Sequence, residues 1–195
     1  MPSIEAEVKA QFEKVFKASD WKLHKRIAEV NLREAALLRK SDMWADEDIQ
    51  LLARNARKRL LIGVGVELLL KAVYLRLGYA INKREGDGTA FPFMLDIAPA
   101  ESLAKDRTVT LNDLVQKLPT VLELTNEPAT MKGLRIAKVF RNKEGHCVTR
   151  SHAFNEQNYI DIATSLTLLY ADAFGEGLTV RFAMAQGQRG AWQVE

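Results

Sequence analysis

An arginine, an amide and an imidazole follow one another in the stretch Arg141-Asn142-Lys143-Glu144-Gly145-His146. Arginine keeps its charge, and its planar fork donates two parallel hydrogen bonds to the oxygens of a phosphate or carboxylate. Histidine, with an unperturbed pKa of about 6.5, takes up and releases protons near neutrality. Asn142 can orient either group or bind an anion without altering the charge. The set therefore suits proton transfer beside a bound anion. The plainer reading gives Arg141 the carbonyls of a helix C-terminus, where cations are favoured, and makes His146 a turn residue.

The elements that would position this stretch must come from the rest of the chain. Its 195 residues and 21.9 kDa suit a single core, and 47% hydrophobic with 27% charged residues is ordinary for a globular protein. Acidic residues stand in the N-terminal stretch where an export signal would be basic and then apolar, and the expected compartment is the cytoplasm. The single cysteine, Cys147, forms no internal disulfide and no multi-cysteine metal site, in keeping with a reducing environment. The apolar run from Leu60 to Leu70 is broken by Glu67 and falls well short of the roughly 20 residues a bilayer requires, so no membrane partner is expected. A net charge of +3 permits an anionic partner without demanding one.

Helical periodicity dominates. Ile4, Val8, Phe12, Val15 and Phe16 recur at helical spacing, and after caps at Ser19 or Asp20 so do Leu23, Ile27, Val30, Leu37 and Leu38. A long helix is expected from about Asp46 to Asn82, capped by Asp46 or Asp48 and stopped by the following Gly-Asp-Gly. Its middle is apolar all round, through Leu61, Val64, Val66, Leu68, Leu69 and Leu70, which places it in a core, one that a second subunit can share. From Lys83 to Thr110 the pattern lapses into the longest loop, with Phe91 and Phe93 as its aromatic residues. A short helix then ends near Pro119, another ends at Arg141, and a closing helix runs from a cap at Asn155 to a stop at Gly175. Alternation at Val180, Phe182 and Met184 predicts a short C-terminal hairpin. The fold class is all-α: a helical bundle around a long central helix. Residues 1–45 form an N-terminal helical extension packed on the core, 46–177 the main helical domain and 178–195 a tail. No internal repeat is present.

Arginine, then asparagine, then histidine after four intervening residues, at a junction between helices and downstream of a long helix carrying Glu67 and Lys71, resembles the HEPN family of small helical domains. That family's hallmark is an arginine, often followed directly by Asn, Asp or His, with a histidine a few residues on. The resemblance covers roughly residues 46 to 175 and implies a metal-independent endoribonuclease without cofactor. In that chemistry the RNA 2′-hydroxyl attacks its own phosphodiester, with a base for the hydroxyl proton, an acid for the departing 5′-oxygen and a cation for the charge on phosphorus. Arg141, Asn142 and His146 would be catalytic. One histidine does not serve as acid and base in a single step, so the resemblance implies a homodimer in which two motifs face each other across a groove. Arg135, Lys138, Lys143 and Arg150 would line it as a track for RNA phosphates. Family toxins silenced by a nucleotidyltransferase antitoxin often carry tyrosine two residues after the histidine, where this chain has Val148. An antitoxin acting by direct contact, or a regulatory protein in defence or stress response, is the partner then expected. A domain that only binds RNA or nucleotide, and a plain helical scaffold, are the competing readings.

Other residues have structural expectations. Glu67 should pair with Lys71 one turn later or with a cation across the core, because an unpaired buried carboxylate is costly. The basic run from Arg54 to Arg59 reads as a solvated helix face. Cys147 and His146 are adjacent and diverge, so they make no nucleophilic pair, and His24 and His152 read as incidental.

Overall fold

A computed structural model describes residues 3–7, 20–38, 47–84, 91–95, 103–144, 154–178, 180–183 and 191–195. The fold is predominantly helical. Residues 4–7 form one helical turn, while Val8, Phe12, Val15 and Phe16 of the expected first helix lie outside the described residues. Helix α1, Trp21–Leu37, begins where Asp20 accepts a hydrogen bond from the Leu23 N–H, as its cap position requires. The buried face of α1, however, is Ala28, Leu32 and Ala35; Leu23, Ile27, Val30 and Leu37 stand exposed, contrary to the inward face their periodicity suggested. The reason lies in the neighbouring helix, where a Cβ on Gly65 would come within 2.9 Å of Leu32 Cγ. Alanines opposite a glycine let two helices approach more closely than larger side chains permit.

Helix α2, Glu47–Arg76, is the long central helix. It stops at Gly78, before the expected Gly-Asp-Gly, in a left-handed turn with φ of +83°. The Tyr79 N–H donates to the Tyr74 carbonyl at 2.9 Å and the Gly78 N–H to the Leu75 carbonyl at 3.1 Å, a Schellman closure. The two tyrosine rings meet edge to face across it. Gly63, two positions before Gly65, faces helix α4, Glu127–Glu144. Two residues are roughly 200° of helical rotation, so α1 and α4 lie on opposite sides of α2. Val66, Leu69 and Leu70 are buried and Leu61, Val64 and Leu68 half-buried between these flanks. The all-round apolar character is thus satisfied within one chain, and by itself gives no argument for a second subunit.

The stretch expected to be a loop from Lys83 to Thr110 contains an antiparallel ribbon, β1 Asn82–Arg84 paired with β2 Leu103–Thr108. The residues of β2, Leu-Ala-Lys-Asp-Arg-Thr, lack the apolar alternation that marks a strand in the sequence. Thr110 caps helix α3, Leu111–Lys117, which tightens into a 3₁₀ turn at Leu118–Thr120. Helix α5, Glu156–Phe174, has the expected cap at Asn155, which forms a reciprocal capping box with Asn158, and the expected stop at Gly175, with φ of +66°. A Cβ on Gly133 of α4 would lie 2.3 Å from Asp161 O of α5, and here too glycine sets a close helix approach. The predicted hairpin is present as β3 Val180–Ala183 and β4 Ala191–Val194, antiparallel. Trp192 of β4 is buried and its indole N–H donates to the Leu32 carbonyl of α1 at 3.1 Å. One apolar cluster takes in Leu32, Leu69, Leu114, Leu134, Leu166 and Trp192, so α1 and the hairpin share the core of the central helices.

Candidate functional site

Helix α4 continues through Arg141 to Glu144, so the first four residues of the motif are helical where a polar gap was expected. This has a geometric consequence. Arg141 and Glu144 are three residues apart, on neighbouring positions of one helix face, and both turn toward α2.

Arg141 sits over Gly63, where a Cβ would lie 2.5 Å from Arg141 Cβ and 2.7 Å from its Cα. With no side chain between them, its guanidinium reaches along α2, and Nε donates to Glu67 Oε2 at 2.9 Å. Lys71 Nζ donates to the other carboxylate oxygen, Oε1, at 3.0 Å and to Thr108 Oγ1 of β2 at 3.3 Å. Glu67 therefore pairs with both of the cations expected for it, the lysine one turn on and an arginine across the core. Burial opposes the charged form of Glu67, but Lys71 and Arg141 outweigh it and hold the carboxyl below its ordinary value. Two cations against one carboxylate leave a net positive seam. The Arg141 side chain remains 38% exposed against 15% for Glu67. Its hydrogen bond to Glu67 is made through Nε.

One turn of α4 further on, Arg59 Nε donates to Glu144 Oε1 at 2.6 Å, both side chains only 1% exposed. The Arg59 guanidinium lies over the Phe154 ring at 5.1 Å. Phe154 stands edge-on to Phe140 of α4, and the Tyr159 hydroxyl of α5 also bonds to Arg59. Burial raises the Tyr159 pKa, and Arg59 partly offsets it. This cluster joins α2, the end of α4 and the start of α5. It corrects the reading of Arg54 to Arg59 as a solvated face, since Arg59 is among the most buried side chains. The signal that could have found it is positional: Arg59 directly precedes the apolar run, and Glu144 lies inside the motif itself.

Asn142 and Lys143 are exposed on the turn of α4 that carries Arg141. His146 and Arg150 lie outside the described residues, as do Cys147, Val148 and His152. Earlier on α4, Lys138 donates to Asn112 Oδ1 of α3 at 3.0 Å. Between α3 and α4 is an open cleft of about 410 Å³ with Arg135 and Lys138 on its wall. A second cleft, of about 500 Å³, adjoins Lys132 and Ile136 and shares Glu127, Met131 and Arg135 with the first. Phe91 and Phe93, the aromatic residues of the expected loop, pack against other parts of the chain. Phe91 packs on Tyr74 with ring centroids 4.9 Å apart, and Phe93 packs against the buried Ala80. His24 Nδ1 lies 2.9 Å from the Asp20 carbonyl, a local contact at the start of α1.

Among the described residues, no three His, Cys, Asp or Glu side chains come together as metal ligands, and no helix is long and apolar enough to cross a membrane. No protein-family model, curated protein or solved structure matches the chain. The class that the fold and seam define is therefore an all-α bundle with a half-open Arg-Glu-Lys cluster at the end of one helix.

Proposed function

We propose that the protein is a metal-independent endoribonuclease of HEPN type, cutting RNA by attack of the 2′-hydroxyl on the adjacent phosphodiester. The observation that carries this reading is the seating of Arg141. Glu67 holds it by Nε while the side chain as a whole stays 38% exposed, at the helix end from which His146 follows. A guanidinium fixed in this way meets the charge developing on phosphorus with little reorganisation. Arg141 would stabilise that charge, His146 would exchange the protons of attack and departure, and Asn142 would orient the phosphate. Glu67 and Lys71 act through Arg141, as positioning residues. Lys138 and Arg135, about one and two turns earlier, extend positive charge along α4 toward the clefts, and Lys143 and Arg150 would add to the track.

Acid and base in one step require two histidines, so the working unit is a homodimer whose motifs share a groove. A toxin-antitoxin, defence or stress system in the cytoplasm suits such an activity, with an antitoxin or regulatory protein acting by contact. Incubation of wild type and His146→Ala with mixed RNA in excess EDTA tests the reading. Cleavage by wild type alone, leaving 2′,3′-cyclic phosphate ends, is expected. RNA bound but intact with both proteins would replace this reading with that of a non-catalytic RNA-binding domain.

A further inference from the structure

Of the seven large apolar side chains that stand exposed among the described residues, four lie on the outer face of α1. Leu23, Ile27, Val30 and Leu37 are 51%, 43%, 52% and 71% exposed. They recur every three or four residues and once after two turns, so they form one stripe along the 17-residue helix, opposite the face that packs on α2. Contiguous apolar surface of this kind marks an interaction site more often than chance exposure. Glu34, the one acidic member of the stripe, fills the gap between Val30 and Leu37, and Arg26 flanks it one turn before Val30. Neither Arg26 nor Glu34 has an ion-pair partner among the described residues. Arg33, by contrast, lies 3.9 Å from Glu29.

We propose that this stripe is a self-association surface on which α1 of a second copy lies antiparallel, with the two-fold axis at Val30. The spacing of the residues carries the assignment. Positions equidistant from Val30 face one another across such an axis, which sets Leu23 against the partner's Leu37 and Arg26 against the partner's Glu34, each contact occurring twice. Each unpaired charge of the stripe thus gains an opposite partner while the apolar residues leave water. A lipid surface is disfavoured by the same residue that a second copy accommodates, because Glu34 would enter the apolar layer unpaired. The chain's own first turn is not seated there, since Ile4 is 81% exposed. A helix of about 25 Å offers a contact at the small end of specific interfaces, so the association is reversible and concentration-dependent. It lies across α2 from Arg141 and is separate from the groove in which two motifs would meet, so it stands or falls independently of the nuclease reading.

Light scattering on the full chain over a concentration series tests this directly. Val30→Asp, which sets two like charges at the axis, should lower the mass at concentrations where wild type is associated, whether or not a motif-paired dimer also forms, and should halve it where the stripe alone associates. Arg26→Glu and Glu34→Arg should each weaken association, and the double variant Arg26→Glu/Glu34→Arg should restore it. All three substituted positions are exposed, and unchanged helical circular dichroism would show that the fold is retained. Equal masses for wild type and Val30→Asp throughout the series would overturn the proposal. So would association that appears only after residues 1–19 are removed, because the stripe would then be covered by the chain's own N-terminal segment. Flotation of a wild-type monomer with anionic phospholipid vesicles, abolished by Val30→Asp, would overturn it in favour of a membrane surface.

Discussion

Two arginine-glutamate pairs join α2 to the last turns of α4, and they differ in almost everything except chemistry. Arg59 and Glu144 are sealed, each 1% exposed, with an aromatic ring over the guanidinium. Arg141 and Glu67 are open on one side, and Lys71 adds a second cation. In the sealed pair the charges are committed to each other, and the pair serves to fix where α4 ends and α5 begins. In the open pair the carboxylate binds the guanidinium through Nε, and the arginine side chain stays partly exposed. The same ion pair is a latch when water is excluded and, on the function proposed above, a seat for an anion when it is not. The latch also holds the helix turn that carries Arg141.

That comparison is broken most severely at the sealed pair. Arg59→Ala or Glu144→Ala leaves an uncompensated buried charge and should cost about 3–5 kcal/mol, read as a shift of the denaturation midpoint. Replacing both residues by apolar side chains of similar volume should recover much of that loss; failure to recover would mean that the pair is not the source of the effect. At the open pair the expectation inverts. Arg141→Ala should lower RNA cleavage by about 100-fold or more while costing under about 1 kcal/mol of stability, because an exposed ion pair contributes little to folding. A large stability loss there would show Arg141 to be a second latch.

Gly63→Ala sharpens the contrast from the side of α2. The new methyl would meet the Arg141 backbone as well as its Cβ, so α4 must move, at about 1–3 kcal/mol, with cleavage falling alongside stability. An alanine variant of unchanged stability and activity would remove the argument that close approach positions Arg141. The smallest effect is the pH dependence of Glu67. Its folded pKa lies below the ordinary 4.5, so its ionisation contributes stability above that value, and the contribution is lost as pH falls through the folded pKa. Glu67→Gln should therefore flatten the acid limb of stability below about pH 4.5 and leave its shape unchanged near neutrality.

Several of these features were legible from residue order alone. Asp20, Asn155 and Gly175 act on backbone groups within one helical turn, so their roles as caps and stop need no distant partner. The helical periods, the long central helix, the Glu67–Lys71 pair and the C-terminal hairpin are equally local. Gly-Asp-Gly is the more conspicuous stop in the sequence, although the Schellman closure at Gly78 and Tyr79 uses only neighbouring residues. The ribbon of β1 and β2 escaped for a different reason: its pairing depends on register between strands far apart in sequence.

The sequence by itself determined the length and period of the helices, where several begin and end, and which residue types stand ready for phosphate chemistry. Only the tertiary structure decided which way those helices turn. Alanines won the inward face of α1 because Gly65 admits Leu32 closely, and Arg141 reached Glu67 because Gly63 leaves the space between them. Arg59 and Glu144, far apart in the chain, became a buried pair because α2 and α4 pack side by side. Periodicity fixes that a helix has two faces, but the shape and charge of the neighbour choose between them, and no neighbour is written into the pattern of a single helix.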